Sequence, residues 1–497
     1  MFAILTIGIS ILIVLSPAIF PLGVCLVVLL WVITYLGICS IEVLMLVFVL
    51  GVNLFLLGRF DNKYSLIAGG IRFKLSFFIM AFVLFMLFLK IWASNVISKN
   101  YKSTSLPLKK VLALLFVGLV STYFNRENHE GVLDSLYALL YFVIPIFYVY
   151  LIPRLNLNRF QLIFLAKFFV IIGLTISLLV IILSFNTDLA MQTLSLQTFG
   201  RRAIGWDFAR ISLSFGSANA IGTILLINLP LCVSFYLIER RVFLKSLFMS
   251  TSILLAVGSL STLSRTSAIV LCVLVLGFLL SARHHSFAIK KYILLALMFI
   301  SITVLLLSFN FSRYRRIEGS LSRRVENVKT SMMIAMDHIL LGVGPNNIFQ
   351  RMDLIWPNIV QQKKHIGWQK TLEEYKSAYY KGYRTCLDPH NVYIMILAEL
   401  GLFGLLAFLF IVVDIIKSIL NTTKRDFIGM YEKQILRGML WGIIGFLIEC
   451  LTGSYLVNNY KVAVFFWTYA GTALAISSLH QNKLTTLQVT SEASKAR

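Results

Sequence analysis

The first acidic or basic side chain in this chain is Glu42; the 41 residues before it carry no charge at all. Apolar runs recur along almost the whole length. About 20 helical residues at 1.5 Å each cross a hydrocarbon core ~30 Å thick, so these runs are long enough to span a membrane. Composition agrees: of 497 residues 59% are hydrophobic and only 13% charged, where a water-soluble domain carries about 25% charged residues. Mean hydropathy is +0.86. The chain therefore reads as an all-α polytopic membrane protein. Its first apolar run lacks a basic n-region and a small-residue cleavage site, so it is expected to stay as a first span.

Apolar segments fall near 2–19, 22–39, 42–58, 73–97, 108–122, 134–152, 160–184, 213–238, 246–263, 266–281, 290–309, 390–416, 436–457 and 462–479. That gives 14 spans as the best count within a range of 12 to 14, because the first three segments are short and crowded. The expected organisation is N-terminal transmembrane helices over 1–309, a large extracytoplasmic helical loop over 310–389, C-terminal transmembrane helices over 390–480 and a cytoplasmic tail over 481–497.

The formal charge of +24 takes its meaning from its distribution across the membrane, and it does not point to nucleic acid. Basic short loops containing Lys99 to Lys110, Arg154 and Arg159, Arg240 to Lys245, Arg283 to Lys291, and Lys417 to Arg437 fall on one face, which the positive-inside rule makes cytoplasmic. The loop with Arg59, Lys63, Arg72 and Lys74 dissents. Segments 185–212, 261–267 and 310–389 then face outward. The last carries thirteen basic and seven acidic residues, a net +6 that attracts anions. Five of six cysteines lie in apolar runs and Cys386 alone in a polar loop, which argues against a disulfide framework or a CxxC metal site. No cofactor or metal is implied.

Within the long loop, Val325, Val328, Met332, Ala335 and Ile339 follow helical spacing, and Gly342 with Pro345 supplies a stop; this predicts an amphipathic helix over 323–341. A second, over 371–382, opens on the capping box Thr371 and Glu374 and puts Tyr375, Tyr379 and Tyr383 on one face. Arg323 and Arg324 would open the first helix, where the macrodipole is already positive and an anion would be welcome; a solvated helix start has the same pattern. Arg265 lies in a tight turn between two apolar segments, where an arginine costs roughly 2.5 to 3.5 kcal/mol unless it snorkels or pairs. Arg201, Arg202 and Arg210 sit beside aromatic residues, with Asn219 just inside the next helix; they are phosphate or sugar contacts, or interfacial anchors. His390, with an ordinary pKa near 6.5, is able to take a proton at neutral pH. Glu399 and Glu449 lie in apolar helices, where a carboxylate is functional or paired by default. "GVGPNN" resembles a phosphate loop but lacks a strand-turn-helix setting, and helix termination explains it better.

Three segments together resemble the O-antigen ligase and O-antigen polymerase superfamily of bacterial polytopic glycosyltransferases. They are "SLSTLSRTSAIVL", "RVENVKTSMMIAMDHILLGVGPNNIF" and "PHNVYIMILAELGLFGLLAFL", in that order. The resemblance covers about 200–415. Val328 and Ile339 replace the tryptophan and proline often found there, positions that carry no chemistry.

The resemblance implies a GT-C-like enzyme that takes a sugar chain from an undecaprenyl diphosphate carrier at the outer face of the bacterial cytoplasmic membrane. It transfers that chain, with inversion and without metal, to a glycan or lipid-linked acceptor. On this sequence, Arg265 and Arg324 would bind the diphosphate, with Arg323, Arg201, Arg202, Arg210 and Asn219 around the substrate. His390 would be the base, Asn391 and Glu399 would support it, and tyrosines such as Tyr379 would stack on sugar rings. Guanidinium groups suit a pyrophosphate leaving group and an imidazole suits proton removal from a hydroxyl. A repeat-unit polymerase is slightly preferred over a ligase acting on lipid A core. Partners would include a flippase and a chain-length regulator. A lipid-linked oligosaccharide flippase without chemistry is the competing class; it predicts charges along a central path, whereas here arginines gather at the outer face.

Overall fold

The computed structural model describes residues 40–55, 66–68, 71–73, 75–97, 108–125, 132–185, 199–200, 210–211, 217–262, 264–281, 315–348, 389–425 and 428–495. The expected segments at 2–19, 22–39 and 290–309, the second loop helix at 371–382 and Tyr379 lie outside the described residues, as do Arg201 and Arg202.

The helices are α1 (Ile41–Phe55), α2 (Leu75–Ile97), α3 (Leu108–Phe124), α4 (Val132–Leu151), α5 (Arg159–Phe185), α6 (Ala218–Ile238), α7 (Val242–Ser261), α8 (Arg265–Ser281), α9 (Arg315–Asp337), α10 (Val392–Thr423), α11 (Met430–Glu449), α12 (Tyr455–Asn458) and α13 (Tyr460–Lys495). A 3-10 turn at Ile152–Arg154 ends α4. The strands among the described residues form two small antiparallel hairpins, Leu66–Ala68 with Ile71–Phe73 and Phe199–Gly200 with Arg210–Ile211. Among the described residues six helices are long and apolar enough to cross a membrane and three shorter apolar helices accompany them; the chain is a multi-pass membrane protein.

Two expectations shift. The apolar segment at 436–457 is not one helix: α11 closes at Glu449, and a turn leads into the four-residue α12. The amphipathic loop helix runs over Arg315–Asp337, beginning eight residues before Arg323. Arg323 and Arg324 are thus well inside α9, beyond the first turn over which the positive end of the dipole acts.

The packing of α11 decides where its C-terminus sits. Ile227, Pro230, Leu231 and Ser234 of α6 press on Gly438 and Gly442, and Leu274 of α8 presses on Gly445. A glycine every three or four residues gives one flank no side chains, so backbones approach closely, as membrane helices without a hydrophobic drive between them require. Tyr469 of α13 donates to the Ile227 carbonyl at 3.1 Å, and Phe446 stacks on Phe466 at 4.1 Å between centroids.

A second close joint interrupts α10. Gly401 has φ 68°, a left-handed conformation that breaks the helix, and Gly342 has φ 67°. The turn after α9 is laid into this break. Val343 and Gly344 N–H donate to the carbonyls of Ala398 and Glu399 at 2.9 Å each, while Leu402 and Phe403 N–H donate to Ile339 and Leu340 at 2.7 and 3.4 Å. Broken helices survive in apolar surroundings only where such released groups find new partners. Ser121 of α3 adds a bond to the Glu399 carbonyl at 3.1 Å, and Asn125 donates to the Gly342 carbonyl at 3.1 Å. A Cβ on either glycine would collide with the other strand of the joint.

Candidate functional site

The "GVGPNN" stretch is thereby accounted for as a backbone splice. It ties the C-terminal end of α9 to α10, and so fixes the helix that carries Arg324 relative to the one that follows His390.

His390 is partly exposed and has φ 51°. It immediately precedes the helix, and Asn391 is the N-cap: its Oδ1 accepts from Ile394 N–H at 3.0 Å, satisfying one of the free donors of the first turn. The other end of the same side chain, Nδ2, donates to the Leu451 carbonyl at 3.1 Å. Val392 N–H donates to the Cys450 carbonyl at 2.9 Å, and the Tyr393 hydroxyl to that of Leu447 at 2.9 Å. Three bonds therefore hold the start of α10 to the C-terminal end of α11.

Arg265 is the first residue of α8 and is exposed. Ser264 before it caps the helix through Oγ to Ser267 N–H at 3.3 Å. The next residue, Thr266, receives a 3.0 Å bond from the Thr452 hydroxyl, so the Arg265 end of α8 meets the same turn that holds His390. Arg324, partly buried, acts electrostatically on Tyr455 at the far side of that turn, where the Tyr455 hydroxyl also interacts with Thr223 of α6 and with Glu449. Segment 447–455 is thus a hub: the His390, Arg265 and Arg324 elements all border it.

The remaining expected residues divide. Asn219 is the second residue of α6, one turn before Thr223, whose hydroxyl donates to the Asn219 carbonyl at 2.9 Å. The backbone of Arg210 pairs with Gly200 in the short hairpin. Arg323 is a residue of α9. Glu399 is buried at the α10 break, about two turns beyond the cap, and its backbone carbonyl accepts the Gly344 N–H of the splice.

The sequence reading did not single out the 447–455 turn, because it falls within a segment whose apolar character continues past the end of α11. Its signal was the "TGS" at 452–454, a cluster of turn-forming residues inside the run.

No curated protein matches the chain. A family model described as O-antigen ligase matches residues 250–409, a stretch that spans Arg265, Arg324 and His390 and accords with the O-antigen ligase and polymerase superfamily.

Proposed function

We propose that the protein is a GT-C-like glycosyltransferase that uses an undecaprenyl-diphosphate-linked oligosaccharide at the extracytoplasmic face of the cytoplasmic membrane to build a surface polysaccharide. The O-antigen ligase match supports a membrane enzyme of the ligase and polymerase type. The observation that carries the reading is the convergence of the Arg265, Arg324 and His390 elements on one turn, 447–455. Two guanidinium groups and an imidazole at one end of a helix bundle suit one reaction. The arginines hold the diphosphate oxygens and stabilise the charge that develops as the sugar leaves. His390 takes the proton from an acceptor hydroxyl, which attacks the anomeric carbon from the face opposite the diphosphate and inverts it. Asn391 fixes the backbone from which His390 projects.

Repeat-unit polymerisation is preferred over ligation to lipid A core, since the loop at 310–389, with its net +6, suits a growing anionic glycan. In this reading 12 to 14 helices cross the membrane, 310–389 is the extracytoplasmic loop, and a flippase and a chain-length regulator act on either side of the step. Purified protein given lipid-linked repeat units should release undecaprenyl diphosphate and yield longer chains. Movement of the lipid-linked substrate across a bilayer without bond formation would replace the enzyme by a transporter.

A further inference from the structure

Glu449 closes α11 inside the hub, and none of its surface reaches solvent. Neither carboxylate oxygen has a hydrogen-bond partner among the described residues. The Ser267 hydroxyl of α8 faces it as a weak donor that stops short of a full hydrogen bond. Tyr455, which Arg324 also influences, lies near it as well.

This placement carries two separate costs. A buried carboxylate with one weak hydroxyl donor loses its hydration and regains little of it, and an acidic residue at a helix C-terminus meets the negative end of the macrodipole. Stability does not explain a residue with both penalties; an ionisable group held in apolar surroundings against such penalties marks a site of function.

The ligand follows by elimination, given the substrate class proposed above, on which this step rests. A lipid-linked glycan offers a hydrocarbon chain, a diphosphate and sugar hydroxyls. The chain has no donors, and the diphosphate is an anion that a carboxylate repels. Only the hydroxyls donate, and two oxygens with open acceptor positions match neighbouring hydroxyls of one ring. We propose that Glu449 is a sugar-binding residue of this site, accepting hydrogen bonds from ring hydroxyls of the lipid-linked glycan while Arg265 and Arg324 hold its diphosphate.

The test measures binding rather than turnover. Wild-type protein, Glu449→Gln and Glu449→Asp in lipid nanodiscs are titrated with bare undecaprenyl diphosphate and with the undecaprenyl-diphosphate-linked glycan extracted from the native host membrane, and thermal unfolding of each is recorded. Wild type should bind the glycan-bearing lipid more tightly than the bare one. Glu449→Gln should weaken the glycan-bearing lipid by about tenfold or more, leave the bare lipid within about twofold and unfold no earlier than wild type. Glu449→Asp, which keeps the charge and shortens the reach, should fall between. Equal affinity of wild type for the two lipids, equal loss for both lipids in a variant, or no loss for either overturns the assignment. Glycan-selective binding lost in Glu449→Gln but unaccompanied by chain growth would uphold Glu449 and remove the transferase; chain growth with unchanged binding by Glu449→Gln would do the reverse.

Discussion

At the scale of single residues, His390, Arg265 and Arg324 make separable contributions. Replacing His390 with alanine should lower turnover by about 10²- to 10⁴-fold, the ordinary worth of a positioned acid or base. Arg265→Ala and Arg324→Ala should each cost on the order of 10²- to 10³-fold, the worth of one group aimed at developing charge. Lysine should restore only part of it, since an ammonium lacks the guanidinium fork. Chain growth from purified lipid-linked repeat units measures all three, and near-normal growth by any alanine variant removes that residue from the site. Arg265 and His390 stand out in the sequence because an arginine or histidine bordering an apolar run conflicts with its surroundings, whereas Arg324 stands out only for an expected place in the first turn of α9 that it does not have. The start of α9 does not stand out. Periodicity marks a buried face, and over Arg315 to Ser322 few apolar side chains repeat at helical spacing, so the expected helix opens only at 323, just before the repeat that starts at Val325. Asn391 was read as a support for His390, and its structural role is more specific: cap at one end of the amide, cross-link to Leu451 at the other.

At the scale of elements, the joint between the 339–344 turn and the break in α10 connects the arginine helix to the histidine helix. Gly342 and Gly401 both have positive φ, and each faces the backbone of the other strand. Alanine at either should destabilise the protein by about 1 to 3 kcal/mol from the backbone conformation alone, with further loss from collision. Because the two glycines share one joint, the double variant should lose less than the sum of the single ones. Thermal unfolding in detergent reads this directly, and strict additivity would mean that the glycines act independently. Chain growth should fall with these variants although neither residue touches substrate, since the joint fixes Arg324 relative to His390. Both glycines stand out in the sequence, one near an evident helix stop and one inside "AELGLFG". What the sequence lacks is their pairing: a bond between residues about 60 positions apart leaves no periodic trace. The end of α11 was hidden for a related reason, because apolar character reports burial and burial resumes at Tyr455 and Leu456 just beyond the turn.

At the scale of the whole molecule, the bundle has two chemically different ends. One carries the hub. The other carries ion pairs that stitch helices together: Lys110 of α3 with Asp414 of α10, and Arg159 of α5 with Glu432 of α11. Asp414 lies late in α10 and Glu432 early in α11, so these pairs are a helix length away from His390 and Glu449. Tyr431 feels both Glu239 and Arg159, which brings the α6–α7 link, the start of α5 and the start of α11 into one neighbourhood. The positive-inside rule assigned the basic loops at 154–159, 240–245 and 417–437 to a single face by counting lysines and arginines; the paired acids now give those loops a common physical end. If that end is cytoplasmic, the hub opens on the outside, where a lipid-linked glycan arrives after flipping. Single cysteines decide it. In a background without native cysteines, Leu451→Cys at the hub and Val242→Cys at the start of α7 place one thiol at each end, both on exposed positions. A membrane-impermeant maleimide applied to intact cells should label Leu451→Cys and spare Val242→Cys until the membrane is opened. The reverse pattern would put the arginines and His390 on the cytoplasmic side and end the case for a transferase acting on flipped, lipid-linked chains.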